Sequence, residues 1–357
     1  MIQSIIKRRN TRAIRVGGMM IGDGAPVSVQ SMTCTKTEDA AATVEQILRL
    51  EQAGCEIVRV AVPTKEAAEA VGLIREAIQI PLVADIHFDY KLALRVIELG
   101  VDKVRINPGN IGSRKRIEAV LSAAKEQSIP IRIGVNSGSL EKDLLNQYNG
   151  VTPEALAESA LRHVRICEAF NFEDIVISVK ASDVPMMIAT NRVLSEKVDY
   201  PLHLGVTEAG TPKTGTLRSA IGIGTLLAEG IGDTIRVSLT GDPVEEVRAG
   251  FEILKSLHLR EHGVTIISCP TCGRTQTSMF ELAEQVEKAL TDEEKSLTVA
   301  IMGCAVNGPG EAKEADIGVA CGKGDALLFK KGKTIRKIKE SEIVETLVHE
   351  VKTWSDE

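Results

Sequence analysis

Short runs rich in valine and isoleucine alternate with amphipathic helical segments from residue 27 to about residue 258. This alternation predicts eight strands, at residues 27–32, 57–62, 81–86, 103–107, 129–135, 175–179, 201–206 and 234–239. Helical periodicity marks the segments between them, among them 41–53, 65–77, 90–99, 114–125 and 153–169. Eight strand–helix repeats predict a (β/α)8 TIM barrel over residues 1–258. An open, doubly wound sheet is the alternative, and the number of repeats favours closure.

The pattern changes near residues 259–264. Beyond this point we expect strands at 264–268, 297–302 and 317–321, a hairpin around 331–333, and helices at 277–290 and 342–354. These elements predict a small α+β domain over residues 264–357. Two helix starts are also marked, because Thr152 and Asp242 each place a capping side chain directly before a proline.

Charge and composition exclude several classes of protein. The 357 residues carry 43 Lys and Arg against 49 Asp and Glu, and the aromatic residues are only six Phe, three Tyr and one Trp. A nucleic-acid-binding protein would need a basic face and often stacking rings. No apolar run approaches the roughly 20 residues that span a bilayer, and the N-terminus has no apolar stretch typical of a secretory signal. We therefore expect a cytoplasmic protein with no nucleic-acid or membrane partner.

Polar side chains interrupt the apolar strands at intervals of two, so they share one face of each strand. Because the helices cover the outer face of a barrel, we expect this polar set to point inward, near the carboxyl ends where barrel enzymes carry out chemistry. Its cationic members are Arg59, Arg105, Arg132, Lys180 and Arg236. Converging cations repel one another unless an anion binds among them, and arginine suits phosphate oxygens, so the pattern favours a diphosphate or similar polyanion. The alternative is a network of ion pairs with acids such as Asp85 and Glu208, which explains one arginine better than it explains four.

The seven cysteines fall into two groups. A reducing compartment and an odd number both argue against a disulfide framework, and we interpret Cys34, Cys55 and Cys167 as packed thiols. The other four lie in the last quarter of the chain, with the spacing Cys269-x2-Cys272-x31-Cys304, Glu311 seven residues on, and Cys321 in a strand-like run. This spacing predicts a metal site and fits both zinc and an iron–sulfur cluster, with Cys321 as either a fourth ligand or a packed thiol.

Seven motifs, taken in order, resemble a known family. They are VQSMT at 29–33, ADIH at 84–87, RINPG at 105–109, RIGVNSG at 132–138, LGVTEAG at 204–210, CPTCG at 269–273 and MGCAVNGPGE at 302–311. The resemblance covers about residues 10–345 and is to the bacterial hydroxymethylbutenyl diphosphate synthase family of the non-mevalonate isoprenoid pathway, in its short two-domain form. It implies a TIM barrel and a C-terminal domain with a [4Fe–4S] cluster. The implied cluster ligands are Cys269, Cys272, Cys304 and Glu311, which leaves Cys321 structural.

The same resemblance implies an activity and its residues. The expected reaction is the reductive ring opening and dehydration of 2-C-methyl-D-erythritol 2,4-cyclodiphosphate to 4-hydroxy-3-methylbut-2-enyl diphosphate, with two electrons. The implied substrate-binding residues are Arg59, Arg105, Asn107, Arg132, Asn136, Lys180 and Ser238. The implied catalytic residues are Asp85, His87 and Glu208, with Glu208 as the acid.

The resemblance also implies partners, namely a flavodoxin or ferredoxin as electron donor and a second copy of the chain that shares each site in a homodimer. Six basic residues between positions 330 and 339 could dock an acidic donor, although such a run is more often simply a solvated face. The competing interpretation of the whole chain is a zinc-containing TIM-barrel lyase or binding protein for a phosphorylated ligand. A structural scaffold is disfavoured, because packing alone does not need so many hydrogen-bonding side chains at the strand ends.

Overall fold

The repeated strand–helix pattern of the first 260 residues builds a closed parallel sheet. The structure is a computed structural model that describes residues 5–304, 310 and 312–355. In the unit Met1–Arg260 the strands are β1 (Ile14–Val16), β2 (Met19–Ile21), β3 (Ser28–Met32), β4 (Ile57–Ala61), β5 (Leu82–Ile86), β6 (Lys103–Ile106), β7 (Ile131–Asn136), β8 (Ile175–Lys180), β9 (His203–Leu204) and β10 (Thr234–Ile235). The sheet order is β8-β7-β6-β5-β4-β3-β10-β9, and a parallel bridge between Ile177 and Leu202 joins β8 to β9. The expected TIM barrel is confirmed.

Helices follow the barrel strands in the expected alternation. They are α1 (Ala40–Gln52), α2 (Lys65–Ala77), α3 (Tyr90–Glu98), α4 (Pro108–Ile111), α5 (Arg114–Glu126), α6 (Lys142–Gln147), α7 (Pro153–Ala169), α8 (Val184–Lys197), α9 (Pro212–Ala228) and α10 (Pro243–Ser256). The two predicted caps are present, since Thr152 accepts a hydrogen bond from the Ala155 amide and Asp242 accepts one from the Val244 amide. Among the described helices, none is both long enough and apolar enough to cross a membrane.

The barrel interior is closed at the amino ends of its strands. Alternate residues of β4, β5 and β8 point inward, and Ile57, Val83 and Val176 form one apolar cluster with residues of the β1–β2 hairpin, Ile14, Val16 and Ile21. The sequence prediction did not include this hairpin. With this end filled by apolar side chains, the polar residues further along the same strand faces lie towards the carboxyl ends.

Two barrel strands are shorter than predicted. The prediction gave six residues each to the seventh and eighth strands, whereas β9 and β10 have two each. A Cβ atom at Gly205, directly after β9, would lie 2.5 Å from the carbonyl oxygen of Arg236. Only a residue without a side chain fits at this position.

The second unit, Glu261–Glu357, has its own sheet and core. Its elements are β11 (Thr265–Ser268), α11 (Met279–Leu290), β12 (Thr298–Met302), β13 (Ile317–Cys321), β14 (Asp325–Lys330), β15 (Lys333–Lys339) and α12 (Ile343–Lys352). The strands pair in sequence order, in parallel from β11 to β13 and antiparallel from β13 to β15. This agrees with the small α+β domain expected from the sequence.

Candidate active site

The inward polar residues of the barrel surround a cavity of about 130 Å³. Eight of the ten residues that the sequence assigned to substrate binding or catalysis line it, namely Arg59, Asp85, His87, Arg105, Arg132, Asn136, Lys180 and Ser238. Four further lining residues are Gly134, Ser178, Thr207 and Arg236. Ser178 belonged to the predicted inward polar set, since it shares a strand face with Lys180, and the same alternation along β7 is the signal that could have found Gly134. Arg236 belonged to the predicted inward set, but the family resemblance gave it no role.

Two residues assigned from the sequence are not in this lining. Asn107 is buried directly after β6. Glu208 is exposed, and its backbone has φ of 53°, the left-handed region that a residue with a side chain seldom adopts. Such a conformation costs about 1 kcal/mol or more and is concentrated at functional sites.

Asp85 is the carboxylate at the centre of this cationic cavity. The Arg105 guanidinium donates to Asp85 through Nη1 at 3.0 Å, Arg59 Nε lies 3.8 Å from the same carboxylate, and His87 Nε2 lies 3.9 Å away. Burial disfavours the ionised form of Asp85, but the charges of Arg59 and Arg105 outweigh it and hold the pKa of this carboxyl below its usual range. Asp85 therefore stays ionised and holds Arg105 in place.

Of the remaining cations, Arg132 and Lys180 are deeply buried and Arg59 is partly buried. Burial is the main reason that the pKa of Arg59 falls to about 10, and burial together with neighbouring arginines lowers the pKa of Arg132 and of Lys180 well below their ordinary values. Arg132 donates to Gln30 Oε1 at 2.9 Å, which is a neutral acceptor. Cations that are buried beside other cations are stabilised by any anion that enters among them.

A carboxylate behind the cavity holds Arg236. Glu246, on α10, is 4% exposed and accepts hydrogen bonds from the Arg236 guanidinium at 3.3–3.4 Å. It also accepts from the Ser31 hydroxyl at 3.0 Å and from the Leu239 amide at 3.0 Å. Glu246 thus fixes the position of Arg236 from the helix side, while the arginine lines the cavity.

In the second unit, two of the predicted cysteine ligands follow neighbouring parallel strands. Cys269 comes directly after β11, and its amide donates to the Ile301 carbonyl on β12 at 3.0 Å, while Cys304 follows β12. A hydrogen bond from the Arg274 amide is the main cause that lowers the pKa of the exposed Cys272 thiol, and thiolate is the form that binds metals. Within the described ranges, no three or more His, Cys, Asp or Glu side chains come together in a group that could hold a metal ion.

Of the two candidates for the fourth ligand of the predicted metal site, only Cys321 lies among the described residues. Cys321 is 1% exposed on β13, packs in the core of its unit, and burial raises the pKa of its thiol to about 11. Glu311 lies outside the described residues. This burial is consistent with the interpretation of Cys321 as a packed thiol.

These features place the chain in the class of two-domain TIM-barrel proteins that have a cation-lined cavity in the barrel. Residues 11–251 match the family model of the GcpE TIM-barrel domain, and residues 265–353 match that of the GcpE protein C-terminal domain. The chain belongs to the GcpE family and is an enzyme.

Two relatives carry the same name. The 4-hydroxy-3-methylbut-2-en-1-yl diphosphate synthase (flavodoxin) of Geobacter sulfurreducens is 58% identical over 96% of this chain and 98% of that relative. The protein of the same name from Clostridium acetobutylicum is 60% identical over 97% of this chain and 99% of that relative. These likenesses favour the synthase interpretation over the zinc-containing alternative.

Two solved structures of low sequence identity are similar to this chain in fold alone. Dihydropteroate synthase from Stenotrophomonas maltophilia has a TM-score of 0.52 and 13% identity, and covers 70% of this chain and 97% of its own. The 3-dehydroquinate dehydratase from Geobacillus kaustophilus has a TM-score of 0.50 and 14% identity, and covers 71% of this chain and 99% of its own.

Proposed function

We propose that this enzyme converts 2-C-methyl-D-erythritol 2,4-cyclodiphosphate to 4-hydroxy-3-methylbut-2-enyl diphosphate. One carbon–oxygen bond of the ring breaks, the substrate gains two electrons and two protons, and one water leaves, so atoms and charge balance. The observation that carries the proposal is the barrel cavity, in which five cationic residues and one carboxylate, Asp85, are among the described lining residues of a GcpE family member. A cyclic diphosphate supplies the negative charge that this set lacks.

Four of the cations are proposed to hold the diphosphate, namely Arg59, Arg105, Arg132 and Lys180. Planar guanidinium groups can each donate two hydrogen bonds to phosphate oxygens. Lys180 is 8% exposed, and an anion at its amine would offset the burial that lowers its pKa, so a bound phosphate favours the charged amine. Asn107, Asn136 and Ser238 are proposed to complete the binding with neutral hydrogen bonds.

Proton delivery is proposed to come from Glu208 and His87. The departing hydroxyl must gain one proton to leave as water, and a carboxylic acid or an imidazole can supply it. His87 lines the cavity with Asp85 behind it, and the ionised Asp85 can orient the ring. Glu208 directly follows the lining residue Thr207, which supports its assignment to this site.

The electrons are proposed to come through an iron–sulfur cofactor, which family membership implies. Cys269, Cys272 and Cys304 fit as donors, because soft thiolates suit iron–sulfur clusters and the pKa of Cys272 is already lowered. We propose Glu311 as the fourth ligand of a [4Fe–4S] cluster. When bound, such a cluster delivers the two electrons one at a time.

The proposal also covers the electron donor, the oligomeric state and the cellular compartment. The names of the relatives support a flavodoxin as electron donor, with a ferredoxin as the other possibility, and we propose that the enzyme works in the cytoplasm as a homodimer whose sites are shared between subunits. Mixed refolding of Arg105→Ala with Cys272→Ala tests the shared site, because one of the two sites of a mixed dimer then has an intact barrel and intact cysteines. Recovered activity supports sharing, and no recovery shows that each site is built within one chain.

The main experiment combines a cofactor and a binding measurement. Anaerobically purified protein should be brown, contain iron and sulfide, and convert the cyclodiphosphate when reduced flavodoxin is supplied. Arg105→Ala should keep the visible spectrum but lose about 2–5 kcal/mol of binding free energy, measured by calorimetry with the unreduced enzyme. The matched control is Arg95→Ala, which removes an exposed arginine paired with Glu69 on the barrel surface and should bind normally. A colourless zinc protein, or unchanged affinity in Arg105→Ala, would contradict the proposal.

A further inference from the structure

Gly134 is a glycine in the middle of a regular barrel strand. It lies on β7 between Arg132 and Asn136, pairs with Ser178 on β8, and does not adopt the left-handed backbone conformation for which glycine is usually required. Glycine weakens a strand interior, because it loses more conformational freedom on folding and has no side chain to pack. The backbone therefore does not explain why this position is a glycine.

The space beside Gly134 is filled by the guanidinium group of Arg105. A Cβ atom built at Gly134 would lie 2.2 Å from Arg105 Nε, 2.7 Å from Nη2 and 2.8 Å from Cζ. These separations are far below the 3.5–4.0 Å of favourable carbon contacts. Any side chain at this position would thus displace the guanidinium group.

The position that Arg105 would lose is a specific one. Arg105 Nη1 donates to Asp85 Oδ1 at 3.0 Å, and Nη2 lies 3.4 Å from the Gly134 carbonyl oxygen. The arginine is 7% exposed, so it has few other places to go within the barrel. An alanine at 134 would keep the carbonyl oxygen that accepts from Arg105, but its methyl group would occupy the space that the guanidinium group fills.

We propose that Gly134 is a positioning residue, whose missing side chain lets the Arg105 guanidinium lie against β7 and face the cavity with its contact to Asp85 intact. This inference rests on the proposed diphosphate function. Alanine at 134 would push the binding arginine aside and disturb its buried contact to Asp85, so substrate affinity should fall together with some stability.

A second glycine of the barrel provides a contrast. A Cβ atom at Gly205 would meet the Lys180 amine at 2.5 Å, but it would also meet the Arg236 carbonyl oxygen at 2.5 Å. A side chain can rotate away, whereas a backbone carbonyl cannot. Gly205→Ala should therefore strain the backbone, whereas Gly134→Ala should displace a side chain.

The test compares Gly134→Ala with wild type and with Gly224→Ala, a control on α9 where a Cβ atom meets nothing within 4 Å. In Gly134→Ala we expect at least a tenfold loss of affinity for the cyclodiphosphate, a raised KM and an unchanged visible spectrum. The unfolding temperature should fall, because the variant disturbs the buried ion pair of Arg105 with Asp85. A crystal structure of the variant should show Arg105 moved away from Asp85. Wild-type affinity, or lost affinity with Arg105 still 3.0 Å from Asp85, would overturn the inference.

A folding failure is also informative. If Gly134→Ala does not fold, the double variant with Arg105→Ala should fold, because the colliding guanidinium is gone. Failure of both variants would overturn the role assigned to Gly134. If wild-type protein does not bind the cyclodiphosphate, the proposed function fails, while the position of Arg105 in the variant crystal still decides this inference.

Discussion

Replacing Lys103 by methionine should stabilise the protein, by an amount that increases as the pH is lowered from about 10. Lys103 lies on β6 two residues before Arg105, is 0% exposed, and its Nζ atom has no hydrogen-bond partner among the described residues. The charged groups that act on it are Arg132 and Arg59 from β7 and β4, with Asp102 the one carboxylate. Burial, and then the two arginines, lower the pKa of Lys103 well below its ordinary value.

The magnitude follows from linkage. A lysine in the unfolded chain has a pKa of about 10.4, so below that pH the unfolded state binds a proton that the folded state does not. Each pH unit between the folded pKa and about 10.4 then removes up to about 1.4 kcal/mol from the free energy of unfolding as the pH falls. Methionine removes this dependence, and it also removes a buried amine without a partner, which costs about 1–3 kcal/mol. It matches the length and much of the volume of the lysine side chain.

Urea unfolding followed by far-ultraviolet circular dichroism at pH 7, 8 and 9 measures the effect. The difference between Lys103→Met and wild type should favour the variant at every pH and be greatest at pH 7. The matched control is Lys91→Met, which removes an exposed lysine of α3 and should give a small difference with no trend. A difference between Lys103→Met and wild type that does not change with pH, or a variant less stable than wild type, would refute the assignment of a neutral buried amine.

Two further predictions concern the C-terminal unit. Cys321→Ser should keep both the visible spectrum and the activity, because this thiol is packed in a core. Glu311→Ala should lose activity and some iron. If iron is instead lost in Cys321→Ser and kept in Glu311→Ala, the cluster is held by four cysteines. Charge reversal at the exposed Lys331 and Lys333 should raise the KM for reduced flavodoxin and weaken the salt dependence of that KM, because an acidic donor is no longer attracted. Lys330 is not chosen, because it is already paired with a carboxylate at 2.7 Å. An unchanged salt dependence would exclude this hairpin as the docking surface.

The sequence was informative where structure depends on local pattern. Burial of one strand face produces an alternation that can be read from neighbouring residues, so the barrel and its inward cations were predictable. An ion pair of an arginine with Asp85 was one of the two alternatives, but which arginine would make it was not predictable, because that depends on the stagger between β5 and β6, which closure of the whole barrel determines. The β1–β2 hairpin had a local signal, the pair Gly17-Gly18 between two short apolar runs, and was still missed.

The interior of the barrel changes character along its axis. Apolar residues close the amino end, and the cation-lined cavity, whose lining includes Arg132, lies towards the carboxyl end. The buried Lys103 is paired in register with Val83 of the apolar cluster. Burying so many cations beside a single lining carboxylate, Asp85, costs stability in the free protein. The same arrangement makes the cavity favour a small, highly charged anion over a neutral ligand, because only the anion offsets that cost. The repulsion among the buried cations thus both lowers the stability of the empty barrel and raises its affinity for an anionic substrate. A substitution that removes a cation facing the cavity should therefore stabilise the empty barrel and weaken substrate binding.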